Sequence, residues 1–155
     1  MERLVVGLPY RGMVQDCLKK VKYKSAWEII KFLYELGKFE KFEGLVTYVP
    51  MWRGKERVRG FNQAKILAEA TGNRIDLLER VRETRPMFGL SKKDRGENVG
   101  GAFRINPKSQ ILQFSNAARV ILVDDVWTTG STMRECAKVL KRAGASEVWG
   151  VALAR

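Results

Sequence analysis

Two adjacent carboxylates followed by a hydroxyl-rich turn are the residues of this chain whose types and spacing could do chemistry: Asp124-Asp125-Val-Trp-Thr128-Thr129-Gly130-Ser131-Thr132. The hydroxyls of Thr128, Thr129, Ser131 and Thr132 can donate to phosphate oxygens, and Gly130 lets the backbone approach a ligand closely. Carboxylates repel phosphate but accept hydrogen bonds from vicinal hydroxyls. Side by side, the two halves describe a sugar-phosphate site, with phosphate in the turn and ribose hydroxyls on Asp124 and Asp125. A Walker-type phosphate loop is excluded in its usual form. No Gly-Lys-Ser/Thr is present, and Ser131 stands where the Lys would be needed.

The flanking residues say what must position this group. Val120 to Val123 is an unbroken apolar run, the pattern of a strand buried on both faces of a parallel sheet. After the turn, Met133, Cys136, Ala137, Leu140 and Ala143 share one helical face. Lys141 and Arg142 lie near that helix's end, and Gly144 reads as its C-cap. Ligands of open α/β sheets bind beyond the carboxyl ends of the strands. A helix N-terminus there presents free N–H groups and the positive end of a dipole to phosphate.

The rest of the chain supplies further strands and helices. Residues 4–8 read as a short strand and Pro9-Tyr10-Arg11-Gly12 as a turn. Val14, Cys17, Leu18 and Val21 mark a helix bordered by Lys19, Lys20, Lys22 and Lys24. Ser25-Ala-Trp-Glu28 is a capping box that opens a second helix, with Ala26, Ile29, Ile30, Leu33 and Leu36 on one face and Gly37 as its stop. Leu45 to Val49 is a strand ended by Pro50, and residues 51–59 read as a basic loop. Gly60-Phe-Asn-Gln63 leads into a helix with Ala64, Leu67, Ala68 and Thr71 inward and Gly72 as C-cap. Short strands are expected at Ile75–Leu78 and Ala102–Ile105, and a last strand at Glu147–Ala154. Residues 80–101 show no clear period, and their basic content fits a lid over an anion.

Composition sets the bounds. The chain has 155 residues, 45% of them hydrophobic, which fits one domain with a real core, residues 1–155. No apolar stretch approaches the roughly 20 residues of a membrane span, and the start is too poorly shaped for a signal peptide. Cys17 and Cys136 are far apart on apolar helix faces, as buried thiols in a reducing cytoplasm would be. With no His and two Cys, zinc is not expected. Lys and Arg number 29 against 17 Asp and Glu, a net charge of +12, which favours phosphates, nucleic acid or an acidic surface as partners.

Three stretches, in order and spacing, resemble the ComF (GntX-like) family of competence-associated proteins with a phosphoribosyltransferase domain. The first is Val49-Pro50-Met51-Trp52 followed by Arg59-Gly-Phe-Asn-Gln63. The second is Thr84, Leu90-Ser91, Arg95, Asn98 and Ala102-Phe103. The third is Asp124-Asp125 with Thr128-Thr129-Gly130, which resembles the loop that binds phosphoribosyl pyrophosphate (PRPP) in type I phosphoribosyltransferases. Tyr10, Gly12 and Lys22-Tyr23 fit the family's start.

The resemblance implies a type I phosphoribosyltransferase fold, an α/β architecture with a central parallel sheet flanked by helices and a small hood, the hood expected from residues 1–40. It implies that Asp124 and Asp125 hold the ribose hydroxyls and, through ribose or water, Mg²⁺. Thr128, Thr129, Gly130, Ser131 and Thr132 would hold the 5-phosphate. Pro50, Met51, Trp52, Arg53 and Gly54 would hold pyrophosphate, and Lys92, Lys93 and Arg95 would lie on a flexible loop. Family members are linked to DNA uptake in natural transformation. Compared with the family, no N-terminal cysteine-rich zinc module is read in these residues, as expected of a short member or of a truncated chain; Met87 stands where Gln is common, and Thr128 where purine-salvage transferases place an acid for the base.

Two functions follow. One is a Mg²⁺-dependent transferase moving phosphoribosyl from PRPP to a nucleobase, with Trp52 and Trp127 as stacking candidates. The other is a non-catalytic PRPP-sensing module that binds single-stranded DNA, with Lys19, Lys20, Lys22, Lys24, Arg57 and Arg59 as contacts and other competence proteins as partners. A cytoplasmic location fits both, and a dimer is compatible with either.

Overall fold

The apolar run at Val120–Val123 is covered on both faces, as its composition requires. In the computed structural model, which describes residues 1–20, 26–85, 89, 91–109 and 119–155, it forms the middle of strand β5 (Arg119–Val126). β5 lies in a four-stranded parallel sheet with β1 (Arg3–Leu8), β2 (Leu45–Tyr48) and β6 (Glu147–Ala154), in the order β1-β6-β5-β2. Val123 is in register with Tyr48 on one side and Val151 on the other.

Strand alternation sends successive β5 side chains into two different cores. Val120 and Leu122 pack with Met133, Cys136, Ala137 and Leu140 of helix α6 (Ser131–Arg142). Ile121 and Val123 pack with Val14 and Leu18 of α1 (Gly12–Lys20) and Ile30 and Leu33 of α2 (Ala26–Leu36). Leu67 and Ala68 of α4 (Gln63–Thr71) complete that second core. The layers are therefore helices on both faces of a parallel sheet. A separate two-stranded antiparallel sheet, β3 (Leu78–Arg80) with β4 (Phe103–Ile105), joins the α6 side through Phe103.

Several sequence expectations need correction. The 51–59 loop contains helix α3 (Arg53–Arg59), which buries none of its residues and so shows no apolar period. The aperiodic 80–101 stretch contains α5 (Lys92–Val99), where Ser91 is the N-cap and its hydroxyl accepts from the Asp94 N–H at 3.2 Å. Val99 is buried there, while Gly96 and five charged residues give no stripe to read. The strand expected at 75–78 is displaced to Leu78–Arg80, although the Ile75 N–H still donates to Val46 O at 2.8 Å. Asp124 and Asp125 lie inside β5, not beyond it.

α2 does not turn at Gly37. The left-handed residue is Lys38, at φ 48°. Gly37 serves another need, since a Cβ there would meet the Phe39 ring at 2.6 Å. Residues 1–40 do not form a separate hood, because β1 is an edge strand of the main sheet and α2 packs on α4. Ser25 of the expected capping box, Val21, Lys22, Lys24 and Met87 fall outside the described residues.

Candidate functional site

The turn after β5 is shaped from inside by one indole. The Trp127 N–H donates to Ala154 O at 2.8 Å, continuing the parallel pairing one residue past the strand. The ring then folds back under Gly130, where a Cβ would lie 2.2 Å from it. Gly130 sits at φ 73° and ψ 8°, the left-handed region that favours glycine. Arg134 closes the turn from the other side. Its guanidinium lies 5.1 Å from the Trp127 ring centroid, and its Nη1 donates to Thr129 O at 2.6 Å.

α6 starts at Ser131 with no side chain capping its first turn, which leaves those N–H groups available to a ligand. They face a small cavity of about 30 Å³ lined by Asp124 and residues 126–133. That is room for one or two waters, so a larger anion would sit at its mouth. Thr129 Oγ1 and Ser131 Oγ are 3.0 Å apart and share a hydrogen bond. The five residues expected to hold phosphate are thus brought together.

The carboxylates fold against the backbone that follows them. Asp124 Oδ1 accepts from the Asp125 N–H at 3.0 Å, and Asp125 Oδ1 from the Val126 N–H at 2.8 Å. Burial, and then the Asp125 charge, push Asp124 well above the usual carboxylate range, and burial also pushes Asp125 up. One arginine opposes this at each acid: Arg80 at Asp124 and Arg59 at Asp125. Such a pair gains from hydroxyl donors or a cation, either of which relieves the repulsion. Among the described residues, no group of three or more His, Cys, Asp and Glu could hold a metal. A cation at the two carboxylates would therefore need its remaining oxygens from a ligand or water.

The Pro50–Gly54 segment is fixed from below by the Arg59–Gln63 motif. Asn62 Nδ2 donates to Val49 O at 3.1 Å, while its Oδ1 accepts from the Ala64 N–H at 3.0 Å and caps α4. Gly60, left-handed at φ 87°, ends α3, and the buried Gln63 Nε2 donates to Leu18 O at 3.4 Å. The motif is a joint between β2, α3, α4 and α1. Arg59 is exposed and donates to Gln63 Oε1 at 2.5 Å, which ties it to the same joint. Beside the segment lies a cleft of about 550 Å³ lined by Met51, Gly54, Lys55, Val58, Arg59 and Glu83.

Other candidates fall elsewhere. Lys93 and Arg95 sit on α5 and do not line the cavity at the turn; of Lys92 only the backbone is described. Lys19 and Lys20 are exposed at the end of α1, and Arg57 is exposed on α3. Trp127 is a packing residue, 7% exposed, not a platform for a base. The residue that sequence reading missed is Arg80, whose charge reaches Asp124. Its one signal was a cation two places past the apolar pair Leu77-Leu78, with Glu79 between.

Comparison with known proteins adds the family. Residues 59–155 match the phosphoribosyl transferase domain family. Competence protein F of Haemophilus influenzae is 38% identical over 122 residues, 74% of this chain and 52% of that protein. Competence protein ComFC of Streptococcus pneumoniae is 35% identical over 152 residues, 94% of this chain and 65% of that protein. The chain thus spans between half and two thirds of the length of these two relatives. DNA utilization protein YhgH of Escherichia coli is 30% identical over 166 aligned positions, 96% of this chain and 70% of that protein. A hypoxanthine phosphoribosyltransferase structure from Staphylococcus aureus aligns over 92% of this chain and 70% of its own, at 13% identity and a TM-score of 0.40, a likeness too loose to carry an argument. The family match over more than half the chain, joined to competence-protein relatives along nearly all of it, places the chain in the ComF family of phosphoribosyl transferase domain proteins, with the type I fold.

Proposed function

We propose that the chain binds PRPP together with Mg²⁺ and acts as a phosphoribosyltransferase-like protein in DNA uptake. The observation that carries this reading is the junction of β5 and α6. There, two half-buried acids in need of donors adjoin an uncapped helix N-terminus whose turn is held open at Gly130. The first-turn N–H groups and the hydroxyls of Thr128, Thr129, Ser131 and Thr132 take the 5-phosphate. Asp124 and Asp125 accept from the ribose hydroxyls. Met51 to Gly54, next to the larger cleft, face the pyrophosphate. Mg²⁺ offsets charge between pyrophosphate and carboxylates when bound. The chain's own contribution to transfer is to orient the ribose and hold the leaving group with basic side chains.

PRPP with Mg²⁺ at ~100 times its dissociation constant should stabilise the fold by roughly 2.7 kcal/mol. Asp124→Asn with Asp125→Asn should abolish that gain while inorganic phosphate still binds. An unmoved thermal midpoint in saturating PRPP refutes the site. Pyrophosphate release across a panel of nucleobases then identifies an acceptor.

A second reading is favoured by α3, where Arg53, Lys55 and Arg57 are exposed on a helix with no buried face, and by relatives named for competence and DNA utilization. Single-stranded DNA would then bind with an affinity falling linearly in log salt, with a slope of about −0.7 per contact. Absence of binding at low salt removes this reading.

A further inference from the structure

Helices α1 and α2 each carry two apolar stripes, and the fold covers one of them. Val14 and Leu18 of α1 and Ile30 and Leu33 of α2 are buried against the sheet. On α1, Met13, Asp16, Cys17 and Lys20 fall on a second face at i, i+3, i+4 and i+7. On α2, Ile29, Phe32 and Leu36 do the same at i, i+3 and i+7. Between the two faces lies a groove of about 540 Å³ lined by Met13, Asp16, Cys17, Lys20 and Ile29. Phe32 and Leu36 continue the α2 stripe one and two turns past Ile29. Met13, Phe32 and Leu36 are 58, 54 and 43% exposed. Single apolar residues at a surface need no explanation, but a stripe beside an apolar groove marks an interaction face.

Electrostatics select the kind of partner. The chain as a whole carries +12, yet on these two helices Asp16, Glu28 and Glu35 balance Lys19, Lys20 and Lys31. A neutral apolar face offers little to a nucleic acid, whose affinity comes from neutralised phosphates. It suits a protein, whose interfaces have an apolar centre and a polar rim. The face is also complementary to itself. Phe32 is a projecting ring beside a hollow, so each copy of the chain has both a knob and a hole. Asp16 and Lys20 are exposed one turn apart at the rim, and among the described residues neither forms an ion pair. A two-fold axis that packs α1 antiparallel to a second α1 sets Asp16 against Lys20 of the second copy, and Lys20 against its Asp16.

We propose that the α1/α2 groove is the interface of a two-fold symmetric homodimer, in which Phe32 of each copy fills the groove of the other and Asp16 pairs with Lys20 across the axis. Cys17 lies between these two charges on the groove floor and is covered by the contact. The turn at Thr128–Thr132 stays clear of it, because that turn leads into α6, which packs on the opposite face of the sheet. α1 is joined to the Pro50–Gly54 segment instead. Gln63 Nε2 donates to Leu18 O, and the neighbouring Asn62 holds Val49 O. A second copy on α1 therefore backs that joint without covering the turn. Nothing in the contact depends on which ligand the turn binds.

Sedimentation of the full chain over about 1–100 μM should show a monomer–dimer equilibrium. Two bodies of +12 repel each other and salt screens that repulsion, so the dimer should tighten as salt rises, the opposite of binding to nucleic acid. Phe32→Glu places a charge in each of two grooves and should weaken the dimer about a hundredfold or more. Phe32 is more than half exposed, so far-ultraviolet circular dichroism of this variant should match the wild type and show that it is folded. Asp16→Lys or Lys20→Asp alone sets like charges opposite each other twice and should weaken the dimer about three- to tenfold, while the two together should restore it. Cys136 is buried, so iodoacetamide reports on Cys17. Its labelling should slow as wild-type concentration rises and stay constant in Phe32→Glu.

A wild type that stays monomeric at the top of that concentration range overturns the proposal and leaves the groove to a different protein. A dimer that Phe32→Glu does not weaken has its interface on another face, which overturns it equally. A double charge swap no tighter than either single one overturns the antiparallel pairing of α1.

Discussion

Gly130→Ala is the sharpest probe of the turn, because two separate costs meet at one atom. The backbone there is at φ 73°, and an L side chain in the left-handed region costs about 1–2 kcal/mol. The added Cβ would also lie 2.2 Å from two carbons of the Trp127 ring and 2.8 Å from a third. The ring is only 7% exposed and is covered by Arg134, so it has little room to yield. Overpacking of this kind costs about 1–3 kcal/mol. The total, about 2–5 kcal/mol, lowers the melting point of a chain this size by about 5–15 °C. Urea unfolding followed by circular dichroism in phosphate-free buffer measures it. Repeating the substitution in a Trp127→Leu background separates the two costs, because only the backbone share of about 1–2 kcal/mol should remain. Equal cost in both backgrounds would refute the idea that the indole is the obstacle. A cost below about 0.5 kcal/mol in the wild-type background would refute both terms.

The acids make a pH-dependent prediction. Asp124 has a folded pKa above its ordinary 3.8, so the folded state holds that proton more tightly than the unfolded state, and stability falls as pH rises from about 4 through the folded value. Asp124→Asn should therefore raise the melting point of the free protein at pH 8 and leave it unchanged at pH 3; a lower midpoint at pH 8 contradicts the burial argument. Glu2 runs the other way. The Val148 N–H chiefly, with Lys141, lowers it from 4.5 to about 2, so its stabilisation is full above 4.5 and is lost as pH falls towards 2. Glu2→Gln should cost stability at pH 7 and nothing near pH 2, and its acid-limb denaturation curve should be flatter than wild type. Asn62→Ala loses a helix cap, about 1 kcal/mol, and strands the Val49 carbonyl, about 1–3 kcal/mol more, giving about 2–4 kcal/mol by urea titration. A loss under 1 kcal/mol would mean that solvent replaces both bonds.

What could be read in advance was whatever carries a period or a close local spacing. The β5 run, the α6 face and the Glu147–Ala154 strand were legible because burial on one or two faces writes itself into residue type. The turn at Thr128–Thr132 was legible as a feature because its parts are neighbours in the chain. α3 and α5 were not, since neither buries a stripe: α3 is held by its left-handed Gly60 terminus and α5 by the Ser91 cap and Val99. The Arg59–Gln63 motif was visible as a pattern but not as a joint, because Asn62 and Gln63 act on Val49 and Leu18, 13 and 45 residues away. Arg80 was hidden for the same reason. Its ring partner, Phe103, is brought to it by the β3–β4 pairing, which no local rule could anticipate.

The placement of Trp127 also has an optical consequence. Of the four tryptophans it is the buried one: Trp27 is 43% exposed, and Trp52 and Trp149 are partly exposed. Its indole touches the glycine around which the turn is built and lies beneath a guanidinium bound to that turn's backbone. An anion arriving at the turn pulls on that guanidinium and changes the field across the ring. The emission of one interior fluorophore therefore follows the state of the turn, and the difference between wild-type and Trp127→Phe spectra separates it from the other three indoles without any label attached to the protein.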